Sequence, residues 1–242
     1  MAGFVTVKAV VVGAGAGIGR AVAEALCLRG AAAVHTISRQ DSFSGNATTQ
    51  HWQTDHSPES IAQVAGGITG SPGTLERLVI CLGVLQDNGI RPERALRQLD
   101  NKAAAHAFEI NTILPMQWLA SFQGALKNAE KPRVAVLSAR VGSIADNRLG
   151  GWYSYRASKA ALNMMLQCAS IEFARLNKAA QLVAYHPGTV DTPLSEPFQR
   201  GVAPDKLFTP EFTATRLLAL LDDVPNTGTL AYVDWDGKTI PF

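Results

Sequence analysis

Tyr155 and Lys159 are four residues apart in a stretch whose pattern predicts a helix, so both side chains lie on one helix face. A tyrosine hydroxyl is a weak acid near neutral pH. A nearby ammonium group favours the phenolate and lowers its pKa, so that the pair could exchange a proton with a carbonyl or alcohol oxygen. The same spacing is common on ordinary solvated helices, so the interpretation needs support from elsewhere in the chain.

A glycine-rich turn between a strand pattern and a helix pattern supplies this support. Gly13, Gly15, Gly17 and Gly19 follow a run of three valines, and the helical pattern begins at Ile18. Glycine permits positive φ angles and close approach of a ligand to the backbone. The free N–H groups and the dipole at a helix N-terminus favour an anion such as a pyrophosphate. We therefore expect these five residues to bind a dinucleotide.

The ends of the second and third predicted strands bear on the choice of dinucleotide. Ser38 and Arg39 end the second strand, where an acid would accept both ribose hydroxyls and select NAD. A guanidinium there can pair with a 2′-phosphate, so we expect NADP(H) rather than NAD(H). Asp55 could accept a hydrogen bond from the adenine amino group. The alternatives are an ordinary surface role for Arg39 and a simple loop around Asp55.

These features and two further motifs resemble the short-chain dehydrogenase/reductase superfamily over the whole chain. The further motifs are Asn111 within Glu-Ile-Asn-Thr, and Pro187-Gly188 followed by Thr189 and Thr192. Within the superfamily, the segments 138–147, 150–163 and 186–195 are similar to the C-factor or sniffer-like carbonyl reductases. The resemblance implies hydride transfer between a nicotinamide cofactor and a carbonyl compound or secondary alcohol.

The resemblance also implies a role for individual residues. Tyr155 would be the acid/base, Lys159 would tune it and bind the nicotinamide ribose, and the main chain of Asn111 would hold a water of a proton relay. The remaining implied contacts are with the cofactor: Ile18 at the pyrophosphate, Gly83 at the ribose, Val190 at the nicotinamide carboxamide, Thr192 near the carboxamide or the phosphates, and the turn Pro187-Gly188 that carries them.

The sequence departs from the family pattern at two places. The fourth strand leads into Ile80-Cys81-Leu82-Gly83 where the family commonly has Asn-Asn-Ala-Gly. The serine that polarises the substrate carbonyl is often the second of a Ser-Ser pair, which here reads Ser138-Ala139. Because successive side chains of a strand face opposite sides, Ser138 is expected to point away from the position of Ala139. We prefer Ser143 as the source of this hydroxyl and keep Ser138 as the alternative.

Strand and helix patterns alternate along the chain, which predicts a single-domain α/β fold of the Rossmann type. We expect a doubly wound parallel sheet of about seven strands with helices on both faces. The segment 188–207 contains several prolines and no periodicity, and is interpreted as a substrate-covering lid. The predicted strands cover 6–12, 32–38, 51–54, 75–82, 133–138, 181–185 and 229–234. The predicted helices cover 18–29, a segment from Ser57 that frays at Gly66-Gly67, 91–98, 101–127 with a break at Pro115, 153–176 and 209–221.

Composition excludes several other classes of protein. The chain has 242 residues, 47% hydrophobic residues and a net charge of +2, which suits one well-buried domain and gives no electrostatic reason to expect nucleic acid or a membrane surface as partner. The three cysteines form no Cys-x-x-Cys pair and the histidines show no metal-ligand spacing, so we expect no metal site. No signal peptide or membrane segment is predicted, and the expected location is the cytoplasm.

The expected partner is a small-molecule carbonyl or alcohol substrate. A homodimer or homotetramer is a family-level expectation, with the two long helices at 101–127 and 153–176 as the interface. Because Ala139 stands in the serine position, a dinucleotide-binding regulatory protein with little or no turnover stays open as an alternative. The identity of the substrate and the physiological direction of the reaction do not follow from the sequence.

Overall fold

The fold is built on a seven-stranded parallel sheet with the strand order β3-β2-β1-β4-β5-β6-β9, here described from a computed structural model covering residues 7–87 and 91–242. Two further short strands, β7 and β8, pair with each other in parallel outside this sheet. The strands are β1 (Val7–Val12), β2 (Ala33–Ser38), β3 (Thr49–Gln53), β4 (Thr74–Ile80), β5 (Arg133–Leu137), β6 (Gln181–His186), β7 (Thr189–Val190), β8 (Leu207–Phe208) and β9 (Ala231–Asp234). This is the Rossmann-type architecture that the sequence predicts.

Helices cover both faces of the sheet. They are α1 (Gly17–Leu28), α2 (Pro58–Gly70), α3 (Asn101–Phe108), α4 (Leu114–Ser121), α5 (Gln123–Lys127), α6 (Tyr153–Leu176) and α7 (Pro210–Asp223). The apolar cores separate accordingly: Ala9 and Val11 pack with α1 and α7, while Val10 and Val12 pack with α2, α4, α5 and α6. Alternate residues of β1 thus serve opposite faces, as the pleat of a strand requires.

The strand order reverses between β1 and β4, which are neighbours in the sheet but lead to opposite halves of it. In open parallel sheets, the crevice at the carboxyl ends of such strands is the usual ligand site. The glycine turn follows β1, and Gly83 follows β4. The fold therefore brings the predicted cofactor segments together at one edge of the sheet.

The prediction of a helix over 91–98 is wrong. Only Leu96–Gln98 forms a single 3-10 turn. The side-chain oxygen of Gln98 accepts hydrogen bonds from the backbone N–H groups of Arg94 and Ala95, at 2.8 and 3.2 Å. These donors are satisfied by a side chain instead of by helical carbonyl groups, which is a common way to end a turn.

The predicted long helix over 101–127 is divided into four parts. A π-helical turn, Glu109–Ile113, joins α3 to α4, and a second break at Phe122 separates α4 from α5. The predicted interruption at Pro115 falls at the junction of two of these parts, because the π turn ends at Ile113 and this proline, which has no N–H to donate, lies in the first turn of α4. The break that matters is the π turn around Asn111.

The predicted fraying of α2 at Gly66-Gly67 is also wrong. The helix continues to Gly70, and its last turn is capped by Lys8, whose Nζ donates to the carbonyl oxygens of Ile68 and Ser71 at 2.7 and 2.8 Å. Gly67 packs against the indole of Trp52, where a Cβ atom would lie 2.6 Å from a ring carbon. The glycine is thus required for packing between α2 and β3.

The remaining differences concern the ends of elements. β3 begins two residues before the predicted His51, β4 ends at Ile80 instead of 82, and β9 begins at Ala231 instead of 229. Residue 6, the predicted start of the first strand, lies outside the described residues. The predicted lid carries β7, two 3-10 turns (Glu196–Phe198 and Pro204–Lys206) and the start of β8, so the pairing of β7 with β8 closes it into a loop.

Candidate active site

The glycine turn after β1 approaches its neighbours too closely for any side chain. Gly13 and Gly17 have φ angles of 83° and 52°, in the left-handed region. A Cβ atom on Gly13 would lie 2.9 Å from the carbonyl oxygen of Cys81, and one on Gly19 would lie 2.2 Å from the carbonyl oxygen of Gly13. The turn therefore leaves bare backbone facing the crevice between β1 and β4, as a dinucleotide site requires.

Helix α1 begins at this turn with its backbone donors free. The residue before it, Ala16, supplies no side-chain cap, and the first turn contains no acidic side chain. Ile18 contributes one of these first-turn N–H groups. The methyl group of Thr192 lies 3.1 Å from the Cβ position of Gly17, which places the β7 segment over the turn. The arrangement fits a bound pyrophosphate, whose charge the helix N-terminus would attract.

The adenosine end of the predicted site is formed by the ends of β2 and β3. Arg39, Thr54 and Asp55 help to line one cavity of about 430 Å³. The hydroxyl of buried Ser38 accepts a hydrogen bond from the backbone of Gln40 at 3.1 Å, so it shapes the turn instead of pointing freely into the cavity. The side chain of Gln40 lies against Gly15, where a Cβ atom would be 3.2 Å from the amide carbon.

The charged groups at this end differ in how far they are already paired. Among the described residues Arg39 forms no ion pair, and its positive charge contributes to lowering the pKa of His56, after the larger effect of burial. Arg20 is paired with Glu24 at 3.0 Å and lies over the ring of Phe43. Asp55 accepts a hydrogen bond of 2.8 Å from the backbone of Ser57, which lowers the pKa of its carboxyl group.

Tyr155 and Lys159 lie on α6 beside the crevice, on the first turns of a helix that packs against β6. Lys159 is buried, and its Nζ donates to the carbonyl oxygen of Leu137 at the end of β5, at 2.9 Å. The same Nζ atom is 3.5 Å from the Cβ position of Gly83. The ammonium group is thus held between the ends of β4 and β5.

Asn111 is fully buried in the π turn and connects three segments. Its Oδ1 accepts from the backbone N–H of Val84 at 2.7 Å, and its Nδ2 donates to the carbonyl oxygen of Val84 at 2.9 Å and to Ser158 Oγ at 3.1 Å. Its Oδ1 also lies 3.5 Å from the Cβ position of Gly83. Single π turns recur at functional sites because they redirect a helix locally. Here the turn brings Asn111, Lys159 and Gly83 to one place.

The pKa values of the pair move in the direction that burial dictates. Burial, with a smaller effect from Tyr232, raises the pKa of Tyr155 to about 12. Burial lowers the pKa of Lys159 to about 8. Desolvation of the phenolate is the larger cause of the shift of the Tyr155 pKa in the protein alone, and the lowering expected from Lys159 together with a bound nicotinamide ring stays a prediction.

The two candidate serines differ in the state of their hydroxyl groups. Ser138 Oγ donates to Asn163 Oδ1 on α6 at 2.6 Å, so its proton is already used in this hydrogen bond and is not available to a substrate. Ser143 Oγ accepts from the backbone N–H of Asp146 at 3.0 Å, which leaves its own proton available. Both side chains are buried, and Ala139 between them has only a methyl group. The geometry leaves Ser143 as the better donor of the two.

The segment after β6 turns at Pro187-Gly188. Gly188 has a φ of 78°, and a Cβ atom there would lie 2.7 Å from the ring of Phe208. Val190 is buried in β7, and its carbonyl oxygen accepts from Thr192 Oγ1 at 3.3 Å and from the hydroxyl of Ser195. Thr192 lies at the glycine turn, with its methyl group near Gly17, and the implied contacts of Val190 and Thr192 with the cofactor stay predictions.

Trp152 and Glu93 shape the N-terminus of α6. Trp152, directly before the helix, has a φ of 49° in the left-handed region, and its ring contacts that of Tyr155 at a centroid distance of 6.2 Å. Glu93 is buried and accepts hydrogen bonds from the backbone and the hydroxyl of Ser154. Glycines 150 and 151 are a weak signal for the turn, but no local pattern points to Glu93.

The part of the chain that the structure describes holds neither a metal-ligating cluster nor a membrane-spanning helix. No group of three or more His, Cys, Asp or Glu side chains there is placed to hold a metal ion. Within residues 7–87 and 91–242, no helix combines the length and the apolar character needed to cross a bilayer.

Sequence comparison relates the chain to a known family over most of its length. The family model described as short chain dehydrogenase matches residues 7–202. The C-signal protein of Myxococcus xanthus is 30% identical over 148 residues, which are 61% of this chain and 84% of that protein. A 1-hydroxy-2-glutathionyl-2-methyl-3-butene dehydrogenase of a Rhodococcus species is 31% identical over 177 residues, which are 66% of this chain and 74% of that protein.

Solved structures share the whole fold. A carbonyl reductase from chicken fatty liver with bound NADPH superposes with a TM-score of 0.84 at 24% identity, covering 98% of this chain and 99% of the other. A carbonyl reductase from Pseudomonas aeruginosa superposes with a TM-score of 0.79 at 25% identity, covering 97% and 99%. The arrangement of sheet and helices is therefore that of these reductases.

Proposed function

The chain belongs to the short-chain dehydrogenase family and is an NAD(P)-dependent oxidoreductase acting on CH–OH or C=O groups. We propose that it uses NADP(H) to interconvert a small carbonyl compound and its alcohol, with Tyr155 as the acid/base. The supporting observation is the convergence of Lys159 and Asn111 on Gly83, beside a glycine turn that no side chain could enter. Four segments that are distant in sequence meet there, at the carboxyl edge of the sheet.

The nicotinamide cofactor, when bound, supplies or accepts the hydride. Gly13, Gly17 and the start of α1 would hold its pyrophosphate, and Gly83 and Lys159 its nicotinamide ribose. The turn with Val190 and Thr192 would lie against the nicotinamide end. These residues fit the group because Gly13, Gly17 and Gly83 carry no side chain that would stand between the backbone and a ligand.

The protein's own residues perform the proton transfer. The hydroxyl of Tyr155 donates its proton to the substrate oxygen in reduction and takes it back in oxidation. With a pKa of about 12 in the protein alone, it is fully protonated at neutral pH and ready for reduction. Lys159 places a positive charge next to the site, and its bond to the carbonyl of Leu137 fixes where that charge lies. Ser143 supplies the second hydrogen bond to the substrate oxygen.

Arg39 supports the preference for NADP(H). Its guanidinium borders the adenosine cavity and has no ion-pair partner among the described residues, whereas Arg20 is already paired with Glu24. A 2′-phosphate would give Arg39 a charge-assisted partner, which NAD(H) lacks. Asp55 would face the adenine from the end of β3.

The first experiment is a titration of the purified protein with NADPH and with NADH, followed by a screen of ketones and aldehydes with the tighter cofactor. We expect NADPH to bind more tightly by about tenfold or more, since one charge-assisted bond contributes roughly 1.5–3 kcal/mol, and at least one carbonyl compound to be reduced. Equal binding of NADH would overturn the cofactor preference and leave the oxidoreductase assignment in place.

A second candidate function is dinucleotide binding with regulatory output and little turnover. It is favoured by one observation: Ala139 lacks the hydroxyl of the usual serine, and the hydroxyl of Ser138 is bonded to Asn163. Tight binding of NADPH with no turnover across a broad carbonyl panel would favour this function over the first.

We further propose that the protein is a homodimer or homotetramer. Helix α6 exposes apolar side chains along its length, including Met164, Met165 and Ile171, and Ile113 is exposed beside α4. Burial of such side chains against a second copy would remove them from water. A monomer in light scattering at micromolar concentration would contradict this proposal.

The state of the cysteines supports the proposed cytoplasmic location. Cys27, Cys81 and Cys168 are free thiols, and burial raises the pKa of Cys81 to about 12, which keeps it in the unreactive thiol form. Proteins of reducing compartments commonly carry such thiols. Location of a tagged chain outside the cytoplasm would contradict the proposal.

A further inference from the structure

Three consecutive residues directly before α6 adopt the left-handed conformation. Gly150, Gly151 and Trp152 have φ angles of 62°, 64° and 49°. The two glycines adopt it freely, but a tryptophan does so only where the surrounding structure enforces it. Such enforced conformations cluster at functional sites.

Glu93 and Arg156 hold the turn from its two sides. The carbonyl oxygen of Glu93 accepts from the backbone N–H of Trp152, and its carboxylate accepts from the backbone N–H of Ser154 at 3.2 Å and from the hydroxyl of the same residue. Arg156 Nε donates to the carbonyl oxygens of Gly150 and Gly151 at 3.1 and 3.0 Å. The backbone on both sides of the indole is thereby fixed.

The turn places the indole of Trp152 between the acid/base and the lid. Its ring centroid is 6.2 Å from that of Tyr155, at an interplanar angle of 73°, and 5.2 Å from that of Phe198, at 63°. Phe198 belongs to the 3-10 turn Glu196–Phe198 of the lid. The indole therefore borders the space between the ring of Tyr155 and the lid.

Arg156 and Glu93, the two charged side chains that form hydrogen bonds at the turn, are engaged with backbone and with Ser154. Arg156 donates to three carbonyl groups, those of Gly150, Gly151 and, at 3.5 Å, Val141. The carboxylate of Glu93 is buried and turned toward Ser154. Neither Arg156 nor Glu93 therefore presents a free charge beside Trp152.

We propose that Trp152 is a specificity-determining residue that selects carbonyl compounds with a flat, uncharged aromatic substituent, and that Glu93 is the positioning residue that holds its indole in place. This inference rests on the proposed reductase function. Aromatic rings pack against one another in offset or edge-to-face arrangements that a puckered aliphatic ring of similar size cannot reproduce. Trp152 should therefore favour a flat substituent over a puckered one that buries a similar apolar area.

The test compares two ketones that differ in the flatness of one ring, acetophenone and cyclohexyl methyl ketone. The measured quantity is the ratio of their kcat/KM values with NADPH. In Trp152→Leu we expect this ratio to fall about fivefold relative to the unmodified protein, in line with the strength of an aromatic pair. Tyr153→Leu is the matched control, because Tyr153 is exposed and makes no ring contact within the described residues; its ratio should stay within about twofold.

Glu93→Gln tests the positioning role. The carboxylate accepts one hydrogen bond from the backbone N–H of Ser154 and one from its hydroxyl, whereas the amide of glutamine has a single acceptor oxygen. The ratio of the two kcat/KM values should therefore fall in the same direction as in Trp152→Leu, while the affinity for NADPH is unchanged. A merely structural role would lower kcat/KM for both ketones equally. This variant also provides the comparison if Trp152→Leu does not fold.

The possible outcomes separate the two proposals. If the unmodified protein reduces the ketones and both variants leave the ratio unchanged, the inference about Trp152 is wrong and the reductase function stands. If the unmodified protein binds NADPH but reduces neither ketone nor any compound of the screen, the reductase proposal fails and the specificity inference fails with it.

Discussion

Asn111 and Ser158 are joined by a hydrogen bond of 3.1 Å from Nδ2 to Oγ, which ties the π turn to α6 one residue before Lys159. Ser158 Oγ in turn donates to the carbonyl oxygen of Tyr155 at 2.9 Å. The backbone carrying the acid/base, the buried ammonium and the π turn is thus one hydrogen-bonded unit. Displacement of any member should disturb the others.

Replacement of Asn111 by Asp tests this unit. The carboxylate keeps the size of the side chain but cannot donate to Val84 or Ser158, so a buried carbonyl group loses its partner. We expect the free energy of unfolding to fall by about 1–3 kcal/mol and kcat to fall by roughly a hundredfold. Thermal unfolding and steady-state kinetics measure the two effects. Asn101→Asp, at the exposed start of α3, is the control and should change neither.

Replacement of Arg39 by Ala tests the cofactor preference. We expect the Kd for NADPH to rise by about ten- to a hundredfold, because a charge-assisted hydrogen bond contributes roughly 1.5–3 kcal/mol, and the Kd for NADH to change little. The matched control is Arg20→Ala, since that guanidinium is already paired with Glu24 and packed on Phe43. An equal loss of affinity for both cofactors in Arg39→Ala would contradict the assignment of Arg39 to the 2′-phosphate.

The buried histidines should make stability depend on pH. Burial, assisted by the charge of Lys8, lowers the pKa of His35 to about 4, and its Nδ1 accepts a hydrogen bond from the indole N–H of Trp52 at 3.1 Å. Burial likewise lowers the pKa of His186 to about 4. Since both are neutral in the folded chain and titrate near 6.5 when unfolded, their contribution is fully present above pH 6.5 and is lost as pH falls toward 4.

Urea unfolding between pH 7 and pH 4.5 measures this dependence. The stability of the unmodified protein should fall across this range, because the unfolded chain takes up protons at these histidines that the folded chain does not. His35→Gln removes that titration, so its loss of stability on acidification should be smaller than that of the unmodified protein. Equal slopes for the two proteins would show that His35 does not remain neutral in the folded state.

The parts of the fold that the sequence predicts well are those specified by local patterns. The glycine turn after three valines, the capped start of α2 and the Tyr155–Lys159 face of α6 each need only neighbouring residues to be recognised. The parallel sheet with helices on both faces follows from the alternation of strands and helices, whereas the strand order is seen only in the structure.

The parts that it misses depend on partners distant in the chain. The π turn forms around Asn111 because Val84 and Ser158, 27 and 47 residues away, satisfy its side chain. Glu93 acts on α6 across 61 residues, and the 3-10 turn near it replaces a predicted helix. The direction of the pKa shift of Tyr155 depends on burial, which a local pattern does not provide.

The most direct test of the central claim is Tyr155→Phe, assayed with any carbonyl compound that the unmodified protein reduces. The substitution removes one hydroxyl group and keeps the ring that packs against Trp152. We expect turnover to fall by about a thousandfold or more, with the Kd for NADPH changed less than threefold. Turnover above about a tenth of the original rate, with cofactor binding intact, would contradict the assignment of Tyr155 as the acid/base.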